Sequence, residues 1–118
     1  MNAHELAERM LAAKSDADEA IAALESAALE AQEAERRYRL ARATAILSTA
    51  GTVQEREARM DKATSDERFA AKLADDVKVA ALERVRLTRQ WLSNLQTLAA
   101  ADRAEAELAR WEPREVSA

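Results

Sequence analysis

The sequence predicts an all-α protein, a long antiparallel helical hairpin with a short helical elbow that is coiled-coil-like and oligomeric. Three observations support this prediction. Thirty of the 118 residues are alanine and 34% are charged, a composition typical of long helices and coiled coils. One glycine and one proline are too few to supply the turns of a multi-stranded sheet. Two long stretches with helical periodicity flank that glycine. We predict a single domain that spans residues 1–118.

The first helix is predicted at about residues 3–48. From Leu6 its apolar residues alternate steps of four and three to Ala45, most of them alanine. That spacing keeps one stripe of a helix facing a partner over many turns. Alanine favours the helix but buries little apolar area, so the helix should need a partner. The acids after Ser15 also resemble a helix start, and the sequence leaves open whether the helix breaks there.

An elbow helix is predicted at about residues 53–63, between two turns. Gly51 is expected to end the first helix, and Thr52 with Glu55 has the spacing of a capping box. Thr64 and Glu67 repeat that spacing and should open the last helix, at about 66–111. Pro113 should end it, leaving a frayed tail over 112–118.

The last helix has more than one apolar stripe. Val77, Ala81, Val85, Leu92 and Leu95 lie near one face, and Ala80, Leu87, Trp91 and Leu98 widen it. A helix packed on one partner needs a narrower stripe, so two neighbours are expected. We therefore predict a homo-oligomer, with an interface formed by Trp91, Leu95 and Leu98.

Charge is segregated along the chain. Residues 1–35 carry a net charge of −7, residues 36–95 carry +5 and residues 96–118 carry −2. Arginines can bind phosphates and an aromatic ring can stack on an unpaired base. The predicted nucleic-acid-binding residues are Arg36, Arg37, Tyr38, Arg39, Arg42, Arg56, Arg59 and Lys62. The next helix adds Arg68 and Lys72 to this basic cluster near the bend. The alternative is that these arginines complement the helix dipole and that Tyr38 is a core residue.

No catalytic motif is recognised, so we predict no enzyme, no catalytic residue, no metal site, no cofactor and no small-molecule substrate. Glu30 and Glu33 match half of the metal-binding motif of MazG-type nucleotide pyrophosphatases, but no Glu-x-x-Asp follows. The chain has no cysteine and no apolar run of the ~18–20 residues that a membrane span needs. The N-terminus lacks a signal-peptide pattern. We expect a cytoplasmic protein without a membrane partner.

Residues 30–100 carry a further pattern: a basic helix with Tyr38, the glycine bend, the segment Leu73–Val79, and Trp91 in an apolar run. This resembles the UvsY recombination mediators of T-even phages. The chain departs from them in its Asp75-Asp76 pair directly before Val77 and in having fewer aromatics and lysines. The resemblance implies a phage-type, ring-forming oligomer that binds single-stranded DNA and helps to load a RecA-like recombinase.

Two other functions fit the same residues. In the first, the chain is a structural or interaction coiled-coil protein that pairs with another protein and binds no nucleic acid, and its charge asymmetry serves assembly. In the second, the acidic residues 1–35 mimic nucleic-acid charge toward a basic partner.

Overall fold

The fold consists of helices alone in the described part of the chain. A computed structural model describes the backbone of residues 1–116 and the side chains of residues 1–111. Helix α1 spans Ala3–Ser48, α2 spans Val53–Ala63 and α3 spans Ser65–Val116. The long helices α1 and α3 pack against each other as a helical hairpin, which confirms the predicted all-α hairpin, and the oligomeric state stays a prediction. No helix of the described residues is long and apolar enough to cross a membrane.

Helix α1 runs through Ser15 without a break, which answers the question that the sequence left open. Its start is fixed by Asn2, whose Oδ1 accepts a hydrogen bond from the Glu5 backbone N–H at 2.8 Å. The Asn2 amide in turn donates to Glu5 Oε1 at 3.2 Å. This reciprocal pair satisfies a backbone donor that has no partner inside the helix. The acids after Ser15 are therefore exposed residues within α1, not its first turn.

The turn between α1 and α2 is built around Gly51. Its φ of +125° is a backbone conformation that side chains with a Cβ rarely adopt. The predicted capping box follows: Thr52 Oγ1 accepts from the Glu55 N–H at 3.3 Å, and Glu55 Oε2 accepts from the Thr52 N–H at 3.4 Å. Arg59 Nη1 donates to the Ala50 carbonyl at 2.9 Å. Both ends of this turn are thus held by side chains of α2.

The second predicted capping box, Thr64 with Glu67, is wrong. Thr64 has φ −111° and ψ 11°, outside the extended conformation of an N-cap residue. It is buried, and its hydroxyl donates back to the Met60 carbonyl at 2.7 Å. Burial favours this arrangement, because the hydroxyl needs a partner. The Met60 carbonyl, which also accepts the Thr64 backbone N–H at 3.0 Å, supplies one.

The end of α3 also differs from the prediction, since the backbone stays helical through Pro113 to Val116 instead of fraying after Trp111. A proline inside a helix removes one backbone hydrogen bond. Here only three residues of α3 follow it, so little helix depends on that bond. Residues 117 and 118 of the predicted tail lie outside the described residues.

Contacts divide the chain into two compact units: Met1–Ile21 with Arg84–Ala118 form unit 1, and Ala22–Glu83 form unit 2. The prediction of one domain stays a prediction. In unit 1 the beginning of α1 packs antiparallel against the later part of α3. Its core joins Leu6, Ala13 and Leu95, with Met10, Leu92 and Ala99 packed against them. Unit 2 pairs the rest of α1 with the beginning of α3, where Ala27, Ala45 and Ala71 are buried.

The heptad seam predicted for α1 matches the burial pattern in each unit. All twelve of its positions, from Leu6 to Ala45, are buried or partly buried. On α3 the match is less complete: Val77 is 49% exposed, while the smaller Ala74 and Ala81 lie at the packed positions. Alanines on both helices give a thin core, and Leu95 is its largest fully buried side chain.

Candidate nucleic-acid interface

A groove runs between α1 and α3 within unit 2. Its volume is about 810 Å³. Its alanines include Ala31 and Ala71, seam residues whose small side chains leave space between the helices. The remaining lining residues are polar, charged or aromatic, apart from Leu40. They are Gln32, Glu35, Arg36, Tyr38, Arg39, Leu40, Arg68, Lys72, Asp75 and Lys78. The packing of small residues therefore brings long charged side chains of two helices to one concave surface.

The groove is electropositive. Five basic residues line the groove, two from α1 and three from α3, together with two acidic residues, Glu35 and Asp75. The lining therefore carries a net charge of +3. Only one pairing is made among them, Arg39 Nε with Glu35 Oε1 at 3.2 Å. Within the described residues the other four bases have no ion pair: Arg36, Arg68, Lys72 and Lys78. Unpaired cations on two sides of a groove can bind the phosphates of a strand lying in it.

Tyr38 belongs both to the seam and to the groove. It is partly buried at its predicted seam position, and it lines the groove. Arg42 Nη1 donates a hydrogen bond to the Tyr38 hydroxyl at 3.2 Å. This bond raises the pKa of Arg42 above its usual value, although a guanidinium is protonated at physiological pH with or without it. The core and ligand interpretations of Tyr38 are therefore compatible.

The predicted set of binding residues separates into two groups. Arg36, Tyr38 and Arg39 line the groove, and five others do not. Arg37 pairs with Glu33 at 3.5 Å on exposed helix surface, and Arg42 and Arg59 make the hydrogen bonds described above. Arg56 and Lys62 are exposed on α2.

Of the three basic residues that α3 contributes to the groove, the sequence indicates two. Arg68 and Lys72 are near the bend and belong to the predicted basic cluster, but Lys78 lies in the fourth turn of α3 and carries no signal as a single lysine. Position 78 is seven residues from Ala71 and from Val85, both buried. This heptad spacing places Lys78 in line with the packed face, where a lysine must extend its side chain alongside the seam. The spacing is therefore the sequence signal that could have identified Lys78.

The predicted interface residues lie in unit 1 and differ in exposure. Leu95 is 1% exposed and packs inside the core of unit 1, so it is a core residue of this chain. Trp91 is 51% exposed and Leu98 is 53% exposed. These two side chains remain candidates for an interface.

No family model, curated protein or solved structure matches the chain. The resemblance of residues 30–100 to the UvsY mediators therefore stays a prediction.

Proposed function

We propose that the chain is a non-enzymatic accessory protein that binds single-stranded nucleic acid, DNA in particular, along the groove of unit 2. The supporting observation is a set of four basic side chains without an ion pair, which come from two helices and line one groove that also contains Tyr38. Proteins that bind single strands combine a basic groove for the backbone with aromatic side chains for the bases. The charge, the concave shape and the aromatic residue occur together here.

The pairing pattern argues against a merely solvated helix face. On such a face, arginines pair with acids one turn away, as Arg37 does with Glu33 outside the groove. Exposed pairs of this kind contribute little stability. The basic groove residues without an ion pair gain even less stability and repel one another. This arrangement favours a role as binding residues for an anion. A polyanion that spans both helices would contact all of them.

Binding is tested by fluorescence anisotropy with a labelled oligothymidylate of about 30 nucleotides, long enough for more than one site of the usual size. Each phosphate contact on a single strand contributes about −0.7 to the slope of log affinity against log salt. Contacts from all five groove bases predict a slope of about −3.5, hence a roughly hundredfold loss of affinity between ~50 and ~200 mM salt. A flat titration at ~50 mM salt would reject the proposal.

A matched pair of double variants separates groove contacts from general electrostatics. Arg36→Gln with Lys72→Gln removes two groove charges, and should reduce the slope by about 1.4. Arg37→Gln with Lys14→Gln removes the same charges from exposed positions outside the groove, and should leave the slope close to that of the wild type. Equal effects of the two variants would show that binding does not use the groove.

A second candidate function is pairing with another protein without nucleic-acid binding, favoured by the exposed Trp91 and Leu98 of α3. This hypothesis predicts no anisotropy change with the oligonucleotide at any salt concentration. A RecA-like recombinase as partner, in the cytoplasm, is part of the first proposal through the UvsY resemblance alone. A recombinase or single-strand-binding gene beside this gene would support it, and virion assembly genes would favour the interaction protein.

A further inference from the structure

A second heptad stripe runs along α3 within unit 1, apart from the core seam. Its positions follow steps of three and four: Arg84, Leu87, Trp91, Asn94, Leu98, Ala101, Glu105 and Leu108. All eight residues are exposed. The core seam of this part of α3 consists of Val85, Thr88, Leu92, Leu95 and Ala99, which are buried or partly buried. Each stripe position precedes a position of this seam, or of its heptad continuation, by one residue. The stripe therefore lies about 100° around the helix from the core seam.

The stripe has the spacing and the apolar area of a helix-packing surface. Leu87 and Leu108 are 59% and 66% exposed, beside the half-exposed Trp91 and Leu98. These four side chains leave roughly 400–500 Å² of apolar area uncovered, a patch of the size that marks protein-binding sites. Covering it on two copies together with the flanking residues approaches the ~1,200 Å² at which stable interfaces begin. Strict heptad spacing indicates a helical partner over several turns.

The polar residues of the stripe indicate the direction of that partner. Arg84 lies at one end and Glu105 near the other, with Asn94 between them. The Arg84 guanidinium is half-exposed and also lies 3.9 Å from Glu19 of the same chain, a long exposed pair that leaves its outer side open to a second copy. In a parallel, in-register pair of copies each Arg84 would face the same arginine and each Glu105 the same glutamate, which is destabilising. Reversing the second copy brings opposite charges together at both ends. The stripe is thus complementary to itself in an antiparallel arrangement, as a two-fold interface requires.

We propose that two copies of this chain pair antiparallel through this stripe, with Leu87 facing Leu98 of the second copy. In this register Trp91 faces the amide of Asn94, which can accept the indole N–H, and such polar residues fix register. Arg84 faces the small Ala101, one turn from Glu105 of the second copy.

Registers one heptad away are worse. A shift in one direction places Leu87 against Glu105 of the second copy. A shift in the other places Arg84 about 16 Å from that glutamate and against Asn94. Only the proposed register combines an apolar leucine layer, the Trp91–Asn94 contact and charge complementarity at both ends.

The chain has no cysteine, so introduced cysteines report the register directly. Leu87→Cys with Leu98→Cys should give a covalent dimer on a non-reducing gel after mild oxidation. Within one chain these positions are eleven residues apart on one helix, about 16 Å, too far for a disulfide. Each single variant should run as a monomer on the same gel, without a covalent cross-link, because the antiparallel register separates each position from its own counterpart.

Other outcomes overturn the proposal. Cross-linking of the single variants would indicate parallel helices. A double variant that cross-links no more than Leu11→Cys, a 69% exposed position on α1, would indicate random collision. As a second measurement, Trp91→Ala should preserve helicity by circular dichroism and raise the dimer dissociation constant in sedimentation equilibrium at least tenfold. A wild type that sediments as a monomer at ~100 μM, or a Trp91→Ala dimer of unchanged affinity, would also reject the interface.

Discussion

Replacing Gly51 by alanine tests the turn that joins α1 to α2. The glycine has φ +125°, which an L-residue adopts only with strain. A Cβ built at this position lies 2.7 Å from Glu55 Oε2 and 3.6 Å from Glu55 Cβ. The Glu55 carboxylate would have to move, and it is the group that accepts the hydrogen bond from the Thr52 N–H. One methyl group therefore strains the backbone and displaces the carboxylate half of the capping box, while Thr52 Oγ1 can still accept from the Glu55 N–H.

The expected cost follows from these two effects. Holding a non-glycine residue at this φ costs about 1–3 kcal/mol, and loss of the hydrogen bond from the Thr52 N–H to the carboxylate costs about 0.5–1.5 kcal/mol. We expect Gly51→Ala to lower the free energy of unfolding by about 2–4 kcal/mol. A chain of 118 residues has about 6–18 kcal/mol in total, at ~0.05–0.15 kcal/mol per residue. The loss is large enough to measure by urea denaturation followed by circular dichroism.

A double-mutant cycle separates the two effects. Glu55→Ala removes the carboxylate, so Gly51→Ala in that background should keep the backbone strain and lose the clash, costing about 1 kcal/mol less than in the wild type. Strictly additive costs would show that the Glu55 side chain does not crowd position 51. If Gly51→Ala stabilises the protein by about 0.4–1 kcal/mol, as it does where alanine fits the backbone, the positive φ itself is wrong.

Two further predictions concern the core and the groove. Leu95→Ala should lower the free energy of unfolding by about 2–5 kcal/mol, because the alanine-rich surroundings of this fully buried residue cannot collapse far into the cavity. As a control, Leu11→Ala at a 69% exposed position should lower it by under ~1 kcal/mol. Equal urea midpoints of the two variants would contradict the core assignment. Tyr38→Phe removes the acceptor of the Arg42 hydrogen bond but keeps the ring, so affinity for the oligonucleotide should change less than about twofold. A tenfold loss in the anisotropy assay would show that the hydroxyl, not the ring, supports binding.

The fold was predictable because its signals are local. The step from Leu6 to Met10 to Ala13, repeated along α1, specifies one helix face whatever packs on it. Thr52 and Glu55 are close enough in sequence to specify their own geometry. Thr64 carries the same local signal and does otherwise, since its burial between α2 and α3 turns its hydroxyl onto a carbonyl. Tertiary packing, which spacing does not report, decided between the two.

The groove was only half predictable, for a related reason. Arg36 and Arg39 stand out because they adjoin other arginines and Tyr38 in sequence. Lys78 reaches the same groove from a different helix, and its relation to Arg36 depends on the offset at which α1 packs on α3. An alanine seam fixes that offset through many small contacts instead of one large interlocking side chain. No single residue in the sequence therefore reports it.

The same scarcity of large core residues explains why two surfaces of this chain remain available for partners. Small seam residues such as Ala31 and Ala71 let α1 and α3 pack while a groove stays open beside them, whereas larger side chains there would fill it. Apolar residues that could have enlarged the core, such as Trp91 and Leu98, lie on the exposed stripe instead. The groove belongs to unit 2 and the stripe to unit 1, so their tests are independent. Loss of groove charges should leave the Leu87–Leu98 cross-link intact, and a failure of one proposal does not weaken the other.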